Sequence, residues 1–573
     1  MKKNFFGKLF GLTLLMFTLL FTGASAETYE GTGLGYDKDG IVLDVEITNN
    51  KIVDVKVKRA KESEFATSAI QKIAKKVIAT QSLDVDGVSG ASLTSEGTKE
   101  AIEEAVKKSG ITLTTVTVQN TKAVELPKEA DVVVIGAGGA GLTSAIAAHE
   151  KGAKVILIEK TELLGGNTNY ATAGLNAAGT KIQEKLGIKD SPELFYEDTM
   201  KGGKNKNNKE LVRVLVNNSS AIVDWLTERG ADLSELTSTG GQSVKRTHRP
   251  TGGSAVGPNI VAALSKTAEN EKIDIRKGTK AIALVKTKNR IVGVKVREID
   301  GKEYTIKAKA VIVATGGFGA NAKMVEKYNP KLKGFGSTNN PAIVGDGIIM
   351  VEKVGGALVD MSEIQTHPTV VHNKTNMITE AVRGEGAILV NKDGKRFIDE
   401  LETRDVVSKA ILSQKGKSAF LIFDEDIRTK LKAADGYVKK GFAVEGTLEE
   451  IAAKIGTDAK TLEATLNKYN EAVKNKVDSE FNKKTLPKEL TGTKYYAIEV
   501  SPAVHHTMGG VRINTNAEVL GKNGRPIKGL YAAGEVTGGI HGANRIGGNA
   551  VADITIFGKI AGENAATYSK SVK

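Results

Sequence analysis

Three groupings of residues could carry chemistry in this 573-residue chain, and none contains a thiol, because cysteine is absent. That excludes disulfides, CxxCH haem sites, cysteine-ligated iron–sulfur clusters, zinc fingers, a thiol nucleophile and a lipid-modified cysteine. Redox chemistry would have to run on an organic cofactor. The first grouping is Gly136-Ala-Gly138-Gly-Ala140-Gly141, with Glu159 standing 23 residues after Gly136. Such a glycine turn sets a pyrophosphate on a helix N-terminus, and an acid at that spacing binds a ribose 2′-OH. The acid disfavours a 2′-phosphate, so FAD or NAD is preferred over NADP. The second grouping draws on the seven histidines, of which His367, His505 and His506 fall in clusters rich in Thr, Gly and Arg. Arginine offers a fixed fork to a carboxylate, and His or Thr adds a donor. The third is the loop Asp84 to Ser95, where Gly87 and Gly90 expose the hydroxyls of Ser89, Ser92, Thr94 and Ser95. Glycines there admit a bulky enzyme, and a primary hydroxyl can attack phosphorus.

Elements must hold these groups in place. Asp131–Ile135 reads as a strand, the glycine turn follows, and a helical run extends to Ala148; Lys154–Ile158 reads as the second strand. Gly165-Gly166-Asn167-Thr168, Ala173-Gly174-Leu175-Asn176, the strand Val311–Val313 closing on Gly316-Gly317, and Gly529 to Glu535 resemble the pieces that large FAD-binding domains assemble from distant parts of a chain. No second glycine turn with its own strand, helix and acid appears, so a built-in NADH domain is not expected. Ahead of this lies a smaller unit, 27–118. Ile41–Ile47 and Ile52–Val57 alternate around Asn49-Asn50 as a β-hairpin, helical patterning runs from Phe65 to Thr80, and a further helix passes through Ile102 and Val106. Residues 119–128 read as a linker.

The first 26 residues read as a secretory signal peptide. Lys2, Lys3 and Lys8 precede an apolar run of 13 residues, Leu9 to Phe21, and Ala24-Ser25-Ala26 offers a cleavage site. As a helix that run rises only about 20 Å, short of a ~30 Å hydrocarbon core. Removing three lysines and no acids takes the net charge from +14 to +11. The expectation is an exported, extracytoplasmic protein, secreted or held at the cell surface and not membrane-spanning after cleavage. Hydrophobic residues at 40% and charged residues at 26% are ordinary for a globular chain.

Asp86-Gly-Val-Ser-Gly-Ala-Ser92 resembles the flavinylation motif of FMN-binding domains, in which a dedicated flavin transferase joins FMN to a hydroxyl through a phosphodiester. The resemblance implies Ser92 as acceptor, with Thr94 as second choice. From Lys128 onward the chain resembles soluble fumarate reductases, the flavoprotein subunits of the flavocytochrome c type and cousins of succinate dehydrogenase. The motifs that carry this are Thr247 to Gly253, Gln365-Thr-His367-Pro-Thr, Met377-Ile-Thr379-Glu380-Ala-Val-Arg383-Gly, Glu402-Thr-Arg404-Asp, His505-His506-Thr-Met-Gly-Gly510 and His541 to Asn549. The implied fold is α/β: a Rossmann-like FAD-binding domain over 129–362 and 491–573, an inserted α+β capping domain over 363–490 that includes helical patterns at Leu448–Ile455 and Ala459–Val473, and a small α+β FMN-binding domain in front. Lack of cysteine departs from the cytochrome-bearing relatives, so FMN would replace their haems in receiving electrons.

By the same resemblance, His505 and Arg545 hold one carboxylate of fumarate, His367 and Thr379 the other, and Met377 and Gly548 complete the substrate site. FAD, non-covalent, would meet Gly136, Gly138, Ala140, Gly141, Glu159, Asn167, Thr168, Ala173, Gly174, Asp346, His506, Glu535 and Ala550. Asn169 and Tyr170, rather than a tethering histidine, follow the Gly-Gly-Asn-Thr segment. Arg404 matches the proton donor, with Glu380 and Arg383 as relay partners on one helical face. A free guanidinium keeps its proton to about pH 12 or above, so this acid serves only a strongly basic carbanion and needs a relay. The implied reaction is fumarate to succinate, with electrons from an extracytoplasmic donor such as a membrane quinone-linked flavoprotein. No metal and no nucleic-acid partner is expected. The rival readings are a reductase of another enoate (urocanate, methacrylate or cinnamate), a secreted flavin electron carrier with an idle site, and an oxidase of the aspartate-oxidase kind.

Overall fold

The computed structural model describes residues 26–572 apart from 36–39, 61, 63, 89–90, 117–126 and 289; the side chains of 64–66 and 92 are also outside it. The expected signal peptide, nearly all of the linker, and Ser89-Gly90 of the acceptor loop therefore lie outside the described residues. Among those described, no helix is long and apolar enough to cross a membrane.

The N-terminal unit opens with β1 (Glu27–Gly33), β2 (Ile41–Thr48) and β3 (Lys51–Ala60), a three-stranded antiparallel sheet in that order. Asn49 and Asn50 make the β2–β3 turn with φ of 52° and 59°, the doubly left-handed turn whose twist matches paired strands and which asparagine, after glycine, tolerates best. Two helices cover the sheet, α1 (Glu64–Thr80) and α2 (Ser92–Ser109). Gly31 and Gly33 let α2 lie on the backbone of β1: a Cβ on either would stand 1.8–1.9 Å from the carbonyl oxygens of Ala101 and Gly97. Alternating Ile41, Leu43, Val45 and Ile47 meet Ile70, Ile73, Val77 and Ile102 in a core of their own. The acceptor loop ends with Ala91 at the N-cap of α2 and no side-chain cap. Ser95 accepts from Val88 N (2.9 Å) and donates to Ala91 O (2.8 Å), closing the loop onto the first turn.

The large body begins with β4 (Glu129–Ile135), α3 (Gly139–Glu150) and β5 (Val155–Ile158). Val132–Ile135 of β4 and the whole of β5 are continuous apolar runs, all buried, as parallel strands covered on both faces must be. Parallel pairing extends to Glu303–Val313 and Pro526–Ala532 on one side and Asp274–Arg276 on the other. α3 is buried from Gly139 to Ala148 because the C-terminal helix Asn549–Ser571 lies against it. Gly558 and Gly562 permit that crossing: added Cβ atoms would stand 2.8 and 2.4 Å from Ala140 O and Ser144 O.

A second core forms around Ile364–Val371, Tyr495–Thr507, Ala419–Asp424 and Ile388–Val390, four strands of a five-stranded antiparallel sheet completed by Val444–Gly446 and packed against Leu448–Ile455 and Ala459–Asn475. Residue 490, the division expected from the sequence, lies just ahead of the strand Tyr495–Thr507. That strand pairs with Ala419–Asp424 over 495–500 and then runs on toward the large body, carrying His505 and His506.

Within this cap a charge cluster is sealed from solvent. Glu400 accepts from Arg396 Nε (2.9 Å) and Lys483 Nζ (2.8 Å), and Arg396 Nη2 also reaches Asp478 (3.0 Å). All four side chains are at most 2% exposed. Two cations balance two anions, so removing one leaves a buried charge uncompensated. Lys483→Met is expected to cost about 3–5 kcal/mol of cap stability, read as a lowered urea midpoint with the slope unchanged. An unshifted midpoint contradicts it.

Candidate active site

One elongated cavity runs from the end of β5 to the junction with the cap and encloses about 1570 Å3 of empty space, solvent at its mouth included. Its first wall is the turn between β4 and α3. Gly136 has φ +98°, and a Cβ there would stand 2.6 Å from Ala314 O; one on Gly141 would stand 1.7 Å from Gly136 O. Gly138 has room where those two do not: an added Cβ would meet Gly165 O at 3.6 Å, ordinary van der Waals contact. The turn is thus bare on its cavity side and tight behind, which suits a phosphate approaching backbone N–H groups. Thr168 braces it by accepting from Gly139 N at 3.0 Å. Glu159, at the end of β5, accepts from Ala137 N (2.8 Å) and from Thr161 N (2.8 Å).

Farther along, Asp346 is bound by Lys160 (2.6 Å) and Lys280 (3.4 Å); burial raises its carboxyl, but the two ammonium groups outweigh that and hold it below the ordinary range. Asn167 donates to Asn339 (2.6 Å) and to Glu535 (3.0 Å), while Asn340 N donates back to Asn167 (2.8 Å). Burial pushes the Glu535 carboxyl up, against the pull of Thr507 N. Ala140, Ala173, Gly174, Gly548 and Ala550 complete the wall.

Where the cap meets the body, buried cations gather. His367, His505, Arg404 and Arg545 line one end of the cavity together with Met377, Thr379 and Glu380, and His506 lies alongside. The His367 and His505 rings stand 5.2 Å apart, and His506 meets His541 edge-on at 5.3 Å. Burial is the main force holding His367, His505 and His506 well below the ordinary imidazole range, and the nearby arginines add to it. At neutral pH all three are neutral donors or acceptors. Thr338 sets His505 through its Nδ1 at 2.8 Å.

Arg404 begins the helix Arg404–Leu412 and is fixed at two points: Nε bonds Glu380 at 3.3 Å and Nη1 donates to Gln365 at 3.2 Å. Gln365 is itself clamped, donating to Asn544 and to Arg545 O at 2.8 Å each. Glu380 heads a short helix, Glu380–Gly384, accepts from Gly240 N at 2.8 Å and stands 4.0 Å from Arg383 Nη2. Burial raises the Glu380 carboxyl, but Arg404 and Arg383 outweigh it and keep it ionised. Arg383 donates to Glu400 O, so the sealed charge cluster of the cap carries the inner arginine.

Of the residues singled out from sequence, the structure brings all but Gly141, Arg383 and the two hydroxyl candidates onto this cavity. Gly141 packs behind the turn, and Arg383 stands behind Glu380, 1% exposed. The side chain of Ser92 lies outside the described atoms, whereas Thr94 is 2% exposed with its hydroxyl bonded to Glu62. The sequence reading assigned no role to Gln365, Thr338 or Gly240. Gln365 had a signal, two residues before His367 on one strand; the others had none.

The residues fit the cofactor classes expected of them: a bare glycine turn, an acid after β5, and buried side chains with orphaned atoms (His367 Nδ1, His506 Nδ1, Arg545 Nε) at the far end. The profile of the family described as FAD binding domain matches residues 131–551, and that of the FMN-binding domain matches 35–107. The chain is 52% identical over 442 residues to the fumarate reductase (cytochrome) of Shewanella frigidimarina, covering 77% of each. It is 45% identical over 538 residues to the NADH:fumarate oxidoreductase of Klebsiella pneumoniae, covering 93% of this chain but only 58% of that relative. Among solved structures, the open conformation of a flavocytochrome c3 fumarate reductase superposes with a TM-score of 0.68 at 44% identity, over 77% of this chain and 78% of that one.

Proposed function

Since the chain belongs to the FAD-dependent fumarate reductase family of flavoprotein oxidoreductases, with an FMN-binding domain in front, we propose that it reduces fumarate to succinate. One observation carries this reading. The inner end of the FAD cavity holds two arginines and three neutral histidines on its wall, with Glu380 engaged by Arg404. That leaves an excess of positive charge and donors at the inner end of the cavity, which suits a flat dianion.

Arg545 and His505 hold one carboxylate, and His367 with Thr379 the other. FAD, held along Gly136, Gly138, Glu159, Asn167 and Asp346, would supply the hydride when reduced. Arg404 gives the proton to the opposite face of the double bond: Nε and Nη1 are anchored on Glu380 and Gln365, leaving Nη2 for the substrate. Glu380, ionised at rest, then takes up a proton from solvent and passes it to the deprotonated guanidine of Arg404 across their 3.3 Å contact. Arg383, held by Glu400 O, keeps that carboxylate charged between turnovers. The cap closes this end against water. We place FAD as non-covalent, because Asn169 and Tyr170 stand where a tether would be expected.

FMN esterified to Ser92 by a flavin transferase is proposed as the electron input, fed by an extracytoplasmic donor such as a quinone-linked flavoprotein. Burial of Thr94 favours Ser92 over it. Export is supported by the basic and apolar start of the sequence.

Burial, with Arg404 nearby, pushes Arg545 down to about 9 against the pull of Glu535. The group is charged below that pH and neutral above it. Its grip on a carboxylate is therefore present at neutral pH and lost as pH rises through about 9. The ratio kcat/KM, which reports the free enzyme, is expected to fall over that range; a flat profile contradicts this assignment.

Steady-state rates on fumarate, urocanate, methacrylate and cinnamate test the substrate. A second carboxylate left unmatched strands buried donors at one end of the slot, so fumarate is expected to lead the monocarboxylates by at least about 100-fold in kcat/KM. A preference for any monocarboxylate overturns the choice.

A further inference from the structure

We infer that the loop at residues 161–164 is the dock on which the N-terminal domain sits to pass electrons to the FAD body. The inference rests on the proposed electron input through FMN.

This loop leaves β5 directly after Glu159 and is braced on the glycine turn. Thr161 Oγ1 shares its one hydrogen between Leu163 O (2.7 Å) and Glu159 (2.9 Å), and Gly165 N donates to Ala137 O (2.8 Å). One side of the segment belongs to the cavity: Thr161, Gly165, Gly166 and Asn167 line it. The other side belongs to α1. Lys72 Nζ donates to Glu162 O at 2.5 Å, and the Glu162 carboxylate stands 3.5 Å from Lys72 and 3.6 Å from Lys76. Leu163 is the single apolar residue of the large body, among those described, that packs on the N-terminal core. Lys76 Nζ also donates at 3.2 Å to the carbonyl of Asp86, the first residue of the acceptor motif.

The same lysine thus touches the FMN-bearing loop and the carboxylate of a segment that forms the FAD cavity. From Leu163 to Asn167 the backbone spans at most about 14 Å. Among the described residues the contact is largely polar, with one apolar residue and two lysines on one carboxylate. Electron-transfer encounters have that character, since they must form and release quickly. In the step itself, reduced FMN loses two electrons and two protons and becomes oxidised FMN. Oxidised FAD takes up both electrons and two protons, the protons moving through solvent.

Carbodiimide cross-linking of the full-length purified protein, read by peptide mass, reports the contact without reference to turnover. A Glu162–Lys72 or Glu162–Lys76 cross-link is expected, and it should vanish in Glu162→Gln. Stopped-flow reduction of the FMN-loaded protein then reads the transfer. Glu162→Lys is expected to slow FMN-to-FAD transfer roughly tenfold or more by like-charge repulsion. Fumarate reduction by a dye that reduces FAD directly should stay unchanged in that variant. The triple variant Lys72→Glu/Lys76→Glu/Glu162→Lys should recover the transfer. A loaded protein that gives no cross-link, or whose Glu162→Lys variant transfers at the wild-type rate, overturns the dock. A wild-type protein that carries no FMN yet gives the cross-link overturns the electron-input reading on which the dock's role depends.

Discussion

Arg404→Ala and Arg404→Lys are each expected to abolish fumarate reduction, by roughly 10³-fold or more in kcat, with FAD still bound and its absorbance unchanged. General acid catalysis contributes about 10²–10⁴-fold, and misplacing the donor forfeits part of the several kcal/mol that orientation supplies. The lysine variant is the sharper test. Arg404 uses Nε on Glu380 and Nη1 on Gln365, and it has a third nitrogen to spare. An ammonium group has one nitrogen, so it cannot keep both anchors and address the substrate. Stopped-flow reduction of FAD by dithionite should proceed normally in both variants, which separates loss of the acid from loss of the cofactor. Wild-type-like turnover in either removes Arg404 from the acid role. Glu380→Gln, which leaves the guanidinium without its ionised partner, should lower kcat by a smaller factor and change the pH profile.

The other large effect concerns Ser92. Ser92→Ala is expected to yield a protein lacking one covalent FMN by intact mass, when both forms are made in cells that carry the transferase. Fumarate reduction driven by the physiological donor should be lost, while reduction driven by a dye acting on FAD persists. The result is nearly all-or-none because a phosphodiester needs its hydroxyl. Thr94 makes a poor substitute, buried as it is and bonded to Glu62. A Ser92→Ala protein that keeps its FMN moves the attachment elsewhere, and an unmodified wild-type peptide removes the covalent link.

Much of this architecture was legible where chemistry demands local residues. The β4–α3 turn announces itself because Gly136 and Gly141 fill positions that no Cβ could occupy. The Asn49-Asn50 hairpin and the helices at Leu448–Ile455 and Ala459–Asn475 follow their apolar periodicity. The site's own residues were found through long motifs rather than through periodicity, since nothing in the spacing of His367, Arg404 and Arg545 reveals that they meet. What stayed hidden depends on tertiary contact. The clamp by which Gln365 fixes Arg404 joins segments from three places in the chain. The support of Arg383 by Glu400, itself held by Arg396 and Lys483, needs the cap's fold before it exists. The long strand Tyr495–Thr507, shared between cap and body, is invisible to any division by composition.

A crystal structure of the FAD-loaded protein with succinate bound tests the central claim most directly. The account predicts one carboxylate on Arg545 and His505, the other on His367 and Thr379, and the two central carbons between the flavin ring and Nη2 of Arg404. Succinate bound at another place, or seated here with the Arg404 guanidinium turned away from the central carbons, would contradict it.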